Sequence, residues 1–257
     1  MAMQEDRQQR IALVTGGARR IGAFMARDLA KQGFAVAIHA NSSVDAAREL
    51  ASSINAEGGK AVPLQADLTD PDAVRRLFAA ARDALGPVDL LVNNASVFEP
   101  DSAQDPDMEL WDRHFAVHLK APALLGAELH AQTDIDTGLI VNMIDQRVWK
   151  LTPDFFSYTL SKSALWTATR TMAQAFAPKV RVNAIGPGPT LANERQSAAD
   201  FQMQIDGLPL KRGPRPDEFA ATILYLYETA SITGQMIALD GGQHLAWQTP
   251  DVTGMAE

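Results

Sequence analysis

Short apolar runs alternate with amphipathic segments along the chain, from Ile11 to Leu239. The apolar runs are typical of buried strands, and the segments between them are long enough for the helices that connect parallel strands. The pattern therefore predicts a single α/β domain spanning residues 1–257, with a doubly wound parallel sheet of about seven strands. The predicted strands are 11–14, 35–39, 61–65, 89–93, 139–144, 180–185 and 235–239.

The clearest helical pattern lies between the third and fourth predicted strands. Asp70 can cap the helix, Pro71 suits its first turn, and Gly86 suits its end. One apolar stripe runs along this segment, formed by Val74, Leu77, Phe78, Ala81 and Leu85. Residues at this spacing share one face, so the stripe predicts a helix packed on the sheet.

A proline- and glycine-rich segment, 186–216, follows the sixth predicted strand and surrounds a short predicted helix, 192–206. Another helix is expected earlier, beginning after Pro153 and ending at Pro178. A long excursion within a compact domain is usually functional, often as a lid. Segment 186–216 is therefore interpreted as either a substrate lid or an ordinary surface insertion.

Composition restricts the classes of function open to the chain. The length of 257 residues suits one large domain, and the net charge of −8 argues against a nucleic-acid partner. The absence of cysteine excludes disulfides and thiolate metal sites, and we expect no metal. The tail 1–10 is polar, without the apolar core of a signal peptide, and no apolar run is long enough to cross a bilayer. We expect a cytoplasmic protein that acts on a small molecule.

A glycine turn joins the first strand to a helical pattern over 23–31. Its sequence is Thr15-Gly16-Gly17-Ala18-Arg19-Arg20-Ile21-Gly22. Such a turn directs backbone N–H groups and a helix N-terminus at a pyrophosphate, as in Rossmann-type dinucleotide sites. The predicted cofactor-binding residues here are Gly16, Arg19, Arg20, Ile21 and Gly22.

The end of the second strand distinguishes the two nicotinamide cofactors. An NAD site places an acidic residue there to bind the ribose 2′-hydroxyl, whereas this chain has Asn41, Ser42 and Ser43. An amide, two hydroxyls and a nearby arginine, Arg19 or Arg20, suit the 2′-phosphate of NADPH, which a carboxylate would repel. The sequence therefore predicts NADPH as the cofactor.

Asp145, Tyr158 and Lys162 are the candidate reacting groups. Tyr158 and Lys162 are four residues apart, so on a helix they share one face, and Asp145 precedes Tyr158 by thirteen residues. An ammonium beside the phenol should lower its pKa from about 10 and make it a proton donor usable near neutral pH. The alternative is a solvated helix face without a catalytic role.

Together these motifs resemble the short-chain dehydrogenase/reductase family. Tyr158-x-x-x-Lys162 matches its catalytic motif, while Asp145 stands where most members have serine and Arg20 where most have the middle glycine of the turn. The resemblance implies that Tyr158 donates a proton and that Lys162 tunes it and binds the cofactor ribose. It adds further cofactor positions in family order: Asp67, Leu68, Asn93, Ala95, Ser96, Pro187, Gly188 and Thr190.

Pteridine reductases and dihydromonapterin reductases are similar at the departures from the family pattern, with Arg20, Ser96, Phe98 and Asp145 at matching places. An ionised aspartate cannot donate a hydrogen bond to a carbonyl oxyanion, but a carboxyl group can protonate or hold a ring nitrogen. The predicted function is NADPH-dependent reduction of a dihydropterin, with Ser96, Phe98, Asp145 and Tyr158 at the substrate. Dihydrobiopterin, dihydromonapterin and dihydrofolate are the candidate substrates.

Two other functions stay open. One is reduction of an ordinary carbonyl, such as a 3-oxoacyl group, a sugar or a quinone; the other is a non-catalytic NADPH-binding regulator. His118 stands where most of the family has a relay asparagine, so it is either an altered relay or a satisfied buried histidine. The resemblance also implies a homotetramer, with one interface formed by the helix of Tyr158 and the helix through Trp111 and His118.

Overall fold

The computed structural model describes residues 9–192 and 196–248. Its seven strands form one parallel sheet in the order β3-β2-β1-β4-β5-β6-β7, which confirms the predicted Rossmann-type α/β fold. The first eight residues of the predicted polar tail lie outside the described residues. The strands are β1 (Ile11–Val14), β2 (Ala35–Ala40), β3 (Lys60–Gln65), β4 (Leu90–Asn93), β5 (Gly138–Met143), β6 (Val180–Pro187) and β7 (Met236–Leu239).

Helices connect the strands and cover both faces of the sheet. The α-helices are α1 (Arg20–Lys31), α2 (Val44–Ala56), α3 (Pro71–Leu85), α4 (Met108–Phe115), α5 (Ala121–Ala131), α6 (Phe156–Phe176), α7 (Ala198–Asp206) and α8 (Pro216–Glu228). One apolar cluster joins the sheet to α1, α2 and α8, and another joins it to α3, α5 and α6. Strands β1, β2, β4 and β5 are buried at every residue because both faces are covered.

Helix α3 confirms the sequence pattern in detail. The Asp70 side chain caps it by accepting a hydrogen bond of 2.8 Å from the backbone N–H of Asp72. Gly86 ends the helix with φ at 110°, a conformation that favours glycine. All five residues of the predicted apolar stripe are buried.

Several element boundaries differ from the predictions. Helix α1 begins at Arg20 and contains Gly22, where a Cβ would lie 2.2 Å from the carbonyl oxygen of Gly16. Gly22 therefore permits the helix to pack closely against the turn, and the helix begins before this glycine and not after it. Strand β6 continues to Pro187, because Gly186 and Pro187 still pair with β7.

Two predicted helices are shorter than the sequence suggested. The helix expected over 192–206 begins at Ala198, after a cap in which Ser197 Oγ accepts from the N–H of Asp200 at 3.1 Å. Residues 193–195 lie outside the described part of the chain. The helix through Trp111 ends as an α-helix at Phe115, and a π-helical turn, Ala116–Lys120, follows. No helix among the described residues is long and apolar enough to cross a membrane.

Candidate active site

The glycine turn lies at the carboxyl ends of β1 and β4, where the strand order reverses direction. This is the position at which doubly wound sheets bind nucleotides. Gly16 has φ at 59°, and a Cβ there would lie 2.8 Å from the Cα of Ala95. The turn therefore approaches the segment after β4 so closely that only glycine fits.

Three side chains that the sequence analysis did not assign hold this turn. The Asn94 amide donates to the carbonyl oxygens of Thr15 and Gly16, each at 2.9 Å, and Thr15 Oγ1 accepts from the N–H of Asn94 at 2.9 Å. His39 Nδ1 accepts from the N–H of Gly16 at 3.1 Å, while Nε2 lies 3.1 Å from Ala66 O. Burial lowers the pKa of His39, so its neutral form is the one that accepts this bond.

A small cavity of about 120 Å³ brings together the residues predicted to bind a 2′-phosphate. Arg19, Asn41, Ser42 and Ser43 line it, with Gly16 at its edge. Their guanidinium, amide and hydroxyl groups match the donors that a phosphate requires.

Arg20 points away from this cavity. Its guanidinium donates to the carbonyl oxygens of Leu191 and Ala192, at 3.0 and 2.9 Å, and it lines the larger cavity beside Tyr158. Of the two arginines considered from the sequence, Arg19 therefore lines the cavity formed by the residues predicted to bind the 2′-phosphate, and Arg20 does not. Ile21 and Gly22 line a separate cavity between the turn and residues 94–99.

A neighbouring cavity of about 300 Å³ contains four of the further cofactor positions that the family resemblance implies. Asp67, Leu68, Ala95 and Ser96 line it. Asn93 does not line any of these cavities, because its side-chain amide is buried and donates to Asn142 Oδ1 at 2.8 Å. Side chains alternate along a strand, so Asn93, the last residue of β4, faces the core and Asn94 faces the turn.

Asp145, Tyr158 and Lys162 meet in one cavity of about 380 Å³. The Tyr158 hydroxyl donates to Asp145 Oδ2 at 3.0 Å. Lys162 Nζ donates to the carbonyl oxygen of Met143 at 2.8 Å and lies 5.7 Å from the centre of the Tyr158 ring. Helix α6 therefore presents both motif residues to the carboxylate that follows β5.

The electrostatics of this group differ from the sequence-based expectation. Burial and the adjacent Asp145 raise the pKa of Tyr158 well above its ordinary value of 10.0, and the smaller opposing effects of Arg147 and of a hydrogen bond with Ser96 do not offset this rise. Burial also lowers the pKa of Lys162 to about 8, against the opposing charge of Asp145. The phenol therefore keeps its proton at neutral pH, and the ammonium loses its charge in mildly alkaline solution.

His118 is a satisfied buried histidine. Its Nε2 accepts from the N–H of Val97 at 3.1 Å and lies 3.0 Å from Ser96 Oγ. Its Nδ1 lies 2.8 Å from Ser161 Oγ, whose hydroxyl donates to the carbonyl oxygen of Tyr158 at 2.7 Å. These partners require a neutral ring with the proton on Nδ1, and burial lowers the pKa of His118 well below its ordinary value. His118 therefore links Ser96 to Ser161 on α6 through its two ring nitrogens, and it acts as a positioning residue.

Aromatic rings form one wall of the cavity. Phe98 stacks on Phe155 with ring centres 4.2 Å apart and meets Tyr158 edge-on at 4.8 Å. Phe155 has φ at 58°, which places its ring against Phe98 just before α6 begins. The guanidinium of Arg147 lies 5.3 Å from the centre of the Phe98 ring. A flat substrate can pack against such a wall.

Comparisons with known proteins agree with this geometry. A family model described as enoyl-(acyl carrier protein) reductase matches residues 16–244. A short-chain type dehydrogenase/reductase of Picea abies is 32% identical over 91% of this chain and 92% of its own length. The chain belongs to the short-chain dehydrogenase/reductase family. It is therefore an oxidoreductase of a family that uses nicotinamide dinucleotides.

Two further relatives of this short-chain dehydrogenase/reductase carry more specific names. A crystal structure of FolM alternative dihydrofolate reductase 1 from Brucella canis, complexed with NADP, is 58% identical, with a TM-score of 0.92. The match covers 95% of this chain and 97% of the Brucella canis chain. A dihydromonapterin reductase of Klebsiella pneumoniae is 29% identical over 93% of this chain and 99% of its own length.

Parts of the 186–216 segment border the cavity of Asp145, Tyr158 and Lys162. Pro187, Gly188 and Thr190 line it, and Thr190 Oγ1 donates to the carbonyl oxygen of Gly188 at 3.1 Å. Phe201, on α7, lines it as well. Among the described residues no group of three or more histidine, aspartate or glutamate side chains could hold a metal ion.

Sequence reasoning missed Gln146, Arg147 and Phe155, which also line the cavity. Their positions carry no family motif. Gln146 and Arg147 directly follow Asp145 in the sequence, whereas Phe155 reaches the cavity through the path of the chain between β5 and α6. Thr15, His39 and Asn94 had a weak signal, since each lies at or just beyond a strand end at the carboxyl edge of the sheet.

Proposed function

We propose that this enzyme is an NADPH-dependent reductase that converts a dihydropterin to its tetrahydro form by hydride transfer to a ring C=N. The observation that carries this proposal is the hydrogen bond of 3.0 Å from the Tyr158 hydroxyl to Asp145 Oδ2, inside the cavity walled by Phe98. The names of the Brucella canis and Klebsiella pneumoniae relatives support it.

The residues fit NADPH at three places. Arg19, with Asn41, Ser42 and Ser43, would hold the 2′-phosphate, the glycine turn would hold the pyrophosphate, and Lys162 would reach the nicotinamide ribose. The cofactor supplies the hydride when bound. The NADP in the Brucella canis structure supports this assignment.

The Asp145–Tyr158 pair suits proton delivery to nitrogen. Because the pKa of Tyr158 is raised well above 10.0, the phenol remains protonated and can donate. A carboxylate beside it opposes an oxyanion but stabilises a positively charged N–H group. A carbonyl substrate would develop negative charge at this place, so the arrangement favours an imine.

Substrate preference tests the proposal directly. NADPH oxidation is followed by absorbance with dihydrobiopterin, dihydromonapterin, dihydrofolate and an acetoacetyl thioester. We expect turnover with at least one dihydropterin or dihydrofolate. Turnover with the thioester alone would replace the pterin function with the carbonyl function, and no turnover with any substrate would favour a regulator.

We also propose that segment 186–216 acts as a substrate lid and that the enzyme is a homotetramer. The first rests on the cavity contacts of Pro187, Gly188, Thr190 and Phe201, and the second on family resemblance. Light scattering during gel filtration measures the oligomeric state, and a monomer would exclude the tetramer.

Replacing Arg19 with alanine is expected to weaken NADPH binding about 10- to 100-fold and to leave NADH binding nearly unchanged. The reason is that Arg19 lines the 2′-phosphate cavity, and a hydrogen bond to a charged group contributes roughly 1.5–3 kcal/mol. Fluorescence titration of both cofactors measures the two dissociation constants. Arg20→Ala is the matched control, because Arg20 contacts Leu191 and Ala192. Equal loss of cofactor preference in both variants would contradict the assignment.

The pH dependence of kcat/KM should show a decline above about pH 8. The pKa of Lys162 is lowered to about 8, so its ammonium form is present below that pH and is lost as the pH rises. A neutral amine cannot stabilise the phenolate that Tyr158 leaves after donating its proton. The profile is measured under limiting substrate, with thermal melting at each pH to verify folding. A flat profile to pH 10 would show that the charge of Lys162 is not required.

A further inference from the structure

Two residues that line the cavity of Asp145, Tyr158 and Lys162 each carry a buried polar atom with no hydrogen-bond partner among the described residues. The two atoms are Gln146 Oε1, an acceptor, and Arg147 Nε, a donor. Gln146 is only 4% exposed. An unpaired buried polar atom costs free energy, so two of them on consecutive residues of one cavity point to a ligand that pairs with both.

Contacts with Asp145 and with two aromatic rings hold the guanidinium of Arg147 in place. One terminal nitrogen lies 3.2 Å from Asp145 Oδ2, and the guanidinium lies over the rings of Phe98 and Phe155, at 5.3 and 5.5 Å. The backbone N–H of Arg147 donates to Asp145 Oδ1 at 2.8 Å, which holds the turn that carries Gln146. A planar guanidinium held in this way is a directional donor and not only a charge.

We propose that Arg147 and Gln146 recognise the oxo–amide edge of the substrate ring. Arg147 Nε donates to the exocyclic oxygen, and Gln146 Oε1 accepts from the ring N–H beside it. This assignment rests on the proposed function and adds a specificity site to it.

The chemistry of a dihydropterin matches the arrangement of these groups. The exocyclic oxygen at position 4 lies on the same side of the bicyclic ring as the imine nitrogen at position 5, and the N–H at position 3 adjoins that oxygen. Arg147 contacts the same carboxylate oxygen, Asp145 Oδ2, that accepts from Tyr158. The donor for the exocyclic oxygen therefore lies beside the groups that serve the reacting nitrogen.

This subsite discriminates against rings with an amino group at position 4. Such a ring presents N–H groups to the Arg147 donor and a bare nitrogen acceptor to Gln146 Oε1, so both contacts become unfavourable. Because a site built for one hydrogen-bonding pattern rejects the opposite one, we expect binding to favour the 4-oxo ring.

Equilibrium binding tests the subsite without relying on turnover. Biopterin and its 4-amino counterpart are titrated calorimetrically into the enzyme saturated with NADP⁺. We expect the wild-type enzyme to prefer the 4-oxo ligand at least about 10-fold. Arg147→Met and Gln146→Leu should each reduce this preference to near parity. Arg147→Lys should reduce it too, because lysine keeps the charge but has no N–H at the Nε position.

Arg48→Met is the matched control, since Arg48 forms an Arg–Asp pair with Asp45 on the exposed face of α2. It should keep the full preference. Thermal melting and NADPH affinity verify that each variant is folded. If the wild type binds both ligands equally, or if the variants keep the preference, the proposed subsite is wrong. The proposed reductase function is then decided separately, by the NADPH oxidation assay. If the wild type neither binds nor reduces any pterin, both are wrong.

Discussion

Replacing Tyr158 with phenylalanine is expected to lower kcat for dihydropterin reduction about 1,000-fold, in line with the contribution of a positioned general acid. The change removes the only hydroxyl among the described residues that donates to Asp145. It leaves the aromatic contacts with Phe98 and His118 in place, at 4.8 and 5.3 Å between ring centres. Single-turnover absorbance measurements with saturating NADPH report the chemical step.

The control for this variant is Tyr225→Phe, which removes a hydroxyl from a tyrosine that is 54% exposed on α8. We expect that variant to behave like the wild type. NADPH affinity should be unchanged in both, because neither hydroxyl lines the 2′-phosphate cavity. If Tyr158→Phe retains more than about a tenth of the activity, Asp145 or water donates the proton and the role of Tyr158 is positional.

Replacing Asp145 with serine is expected to lower kcat/KM for a dihydropterin about 100-fold while leaving thioester reduction unchanged or improved. Serine can donate to a carbonyl oxyanion, but it carries no charge to stabilise a protonated ring nitrogen. Serine is also a good capping residue, so the turn after β5 should persist. Parallel assays with the two substrate classes measure the change in preference.

The same variant has a second signature in its pH profile. The charge of Asp145 contributes to the raised pKa of Tyr158, so removing the carboxylate should lower that pKa. Any decline in rate that follows loss of the phenol proton should then occur at lower pH. Asp154→Ser serves as the control, since Asp154 lies in the exposed loop before α6. Full dihydropterin activity in Asp145→Ser would exclude a role for this carboxylate in protonation.

The fold was predictable because its signals are local and repeated. Each buried strand is a short apolar run, and α3 carries its cap, its stripe and its terminal glycine within one segment. The boundaries that differ depend on long-range contacts. Strand β6 extends through Pro187 because β7, about fifty residues later, pairs with it, and no local pattern contains that information.

The candidate site was predictable where a motif encodes it and unpredictable where only packing does. Spacing and family order selected Tyr158, Lys162 and Asp145 as one group, and the three residues line the same cavity. The choice between Arg19 and Arg20 depended on the backbone direction of the turn, since Arg20 has φ at 51° and points to Leu191. Neighbouring residues of the same type cannot be distinguished by composition.

The sequence by itself determined the parallel sheet, the dinucleotide turn and the three candidate reacting groups, because periodicity and motif spacing are properties of the chain alone. The tertiary structure decided their electrostatics. Burial of Tyr158 against Asp145 raises its pKa, and burial of Lys162 lowers its pKa to about 8. It also fixed the tautomer of His118 and brought Gln146 and Arg147 to the cavity. These properties depend on desolvation and on contacts between distant segments, which exist only once the chain has folded.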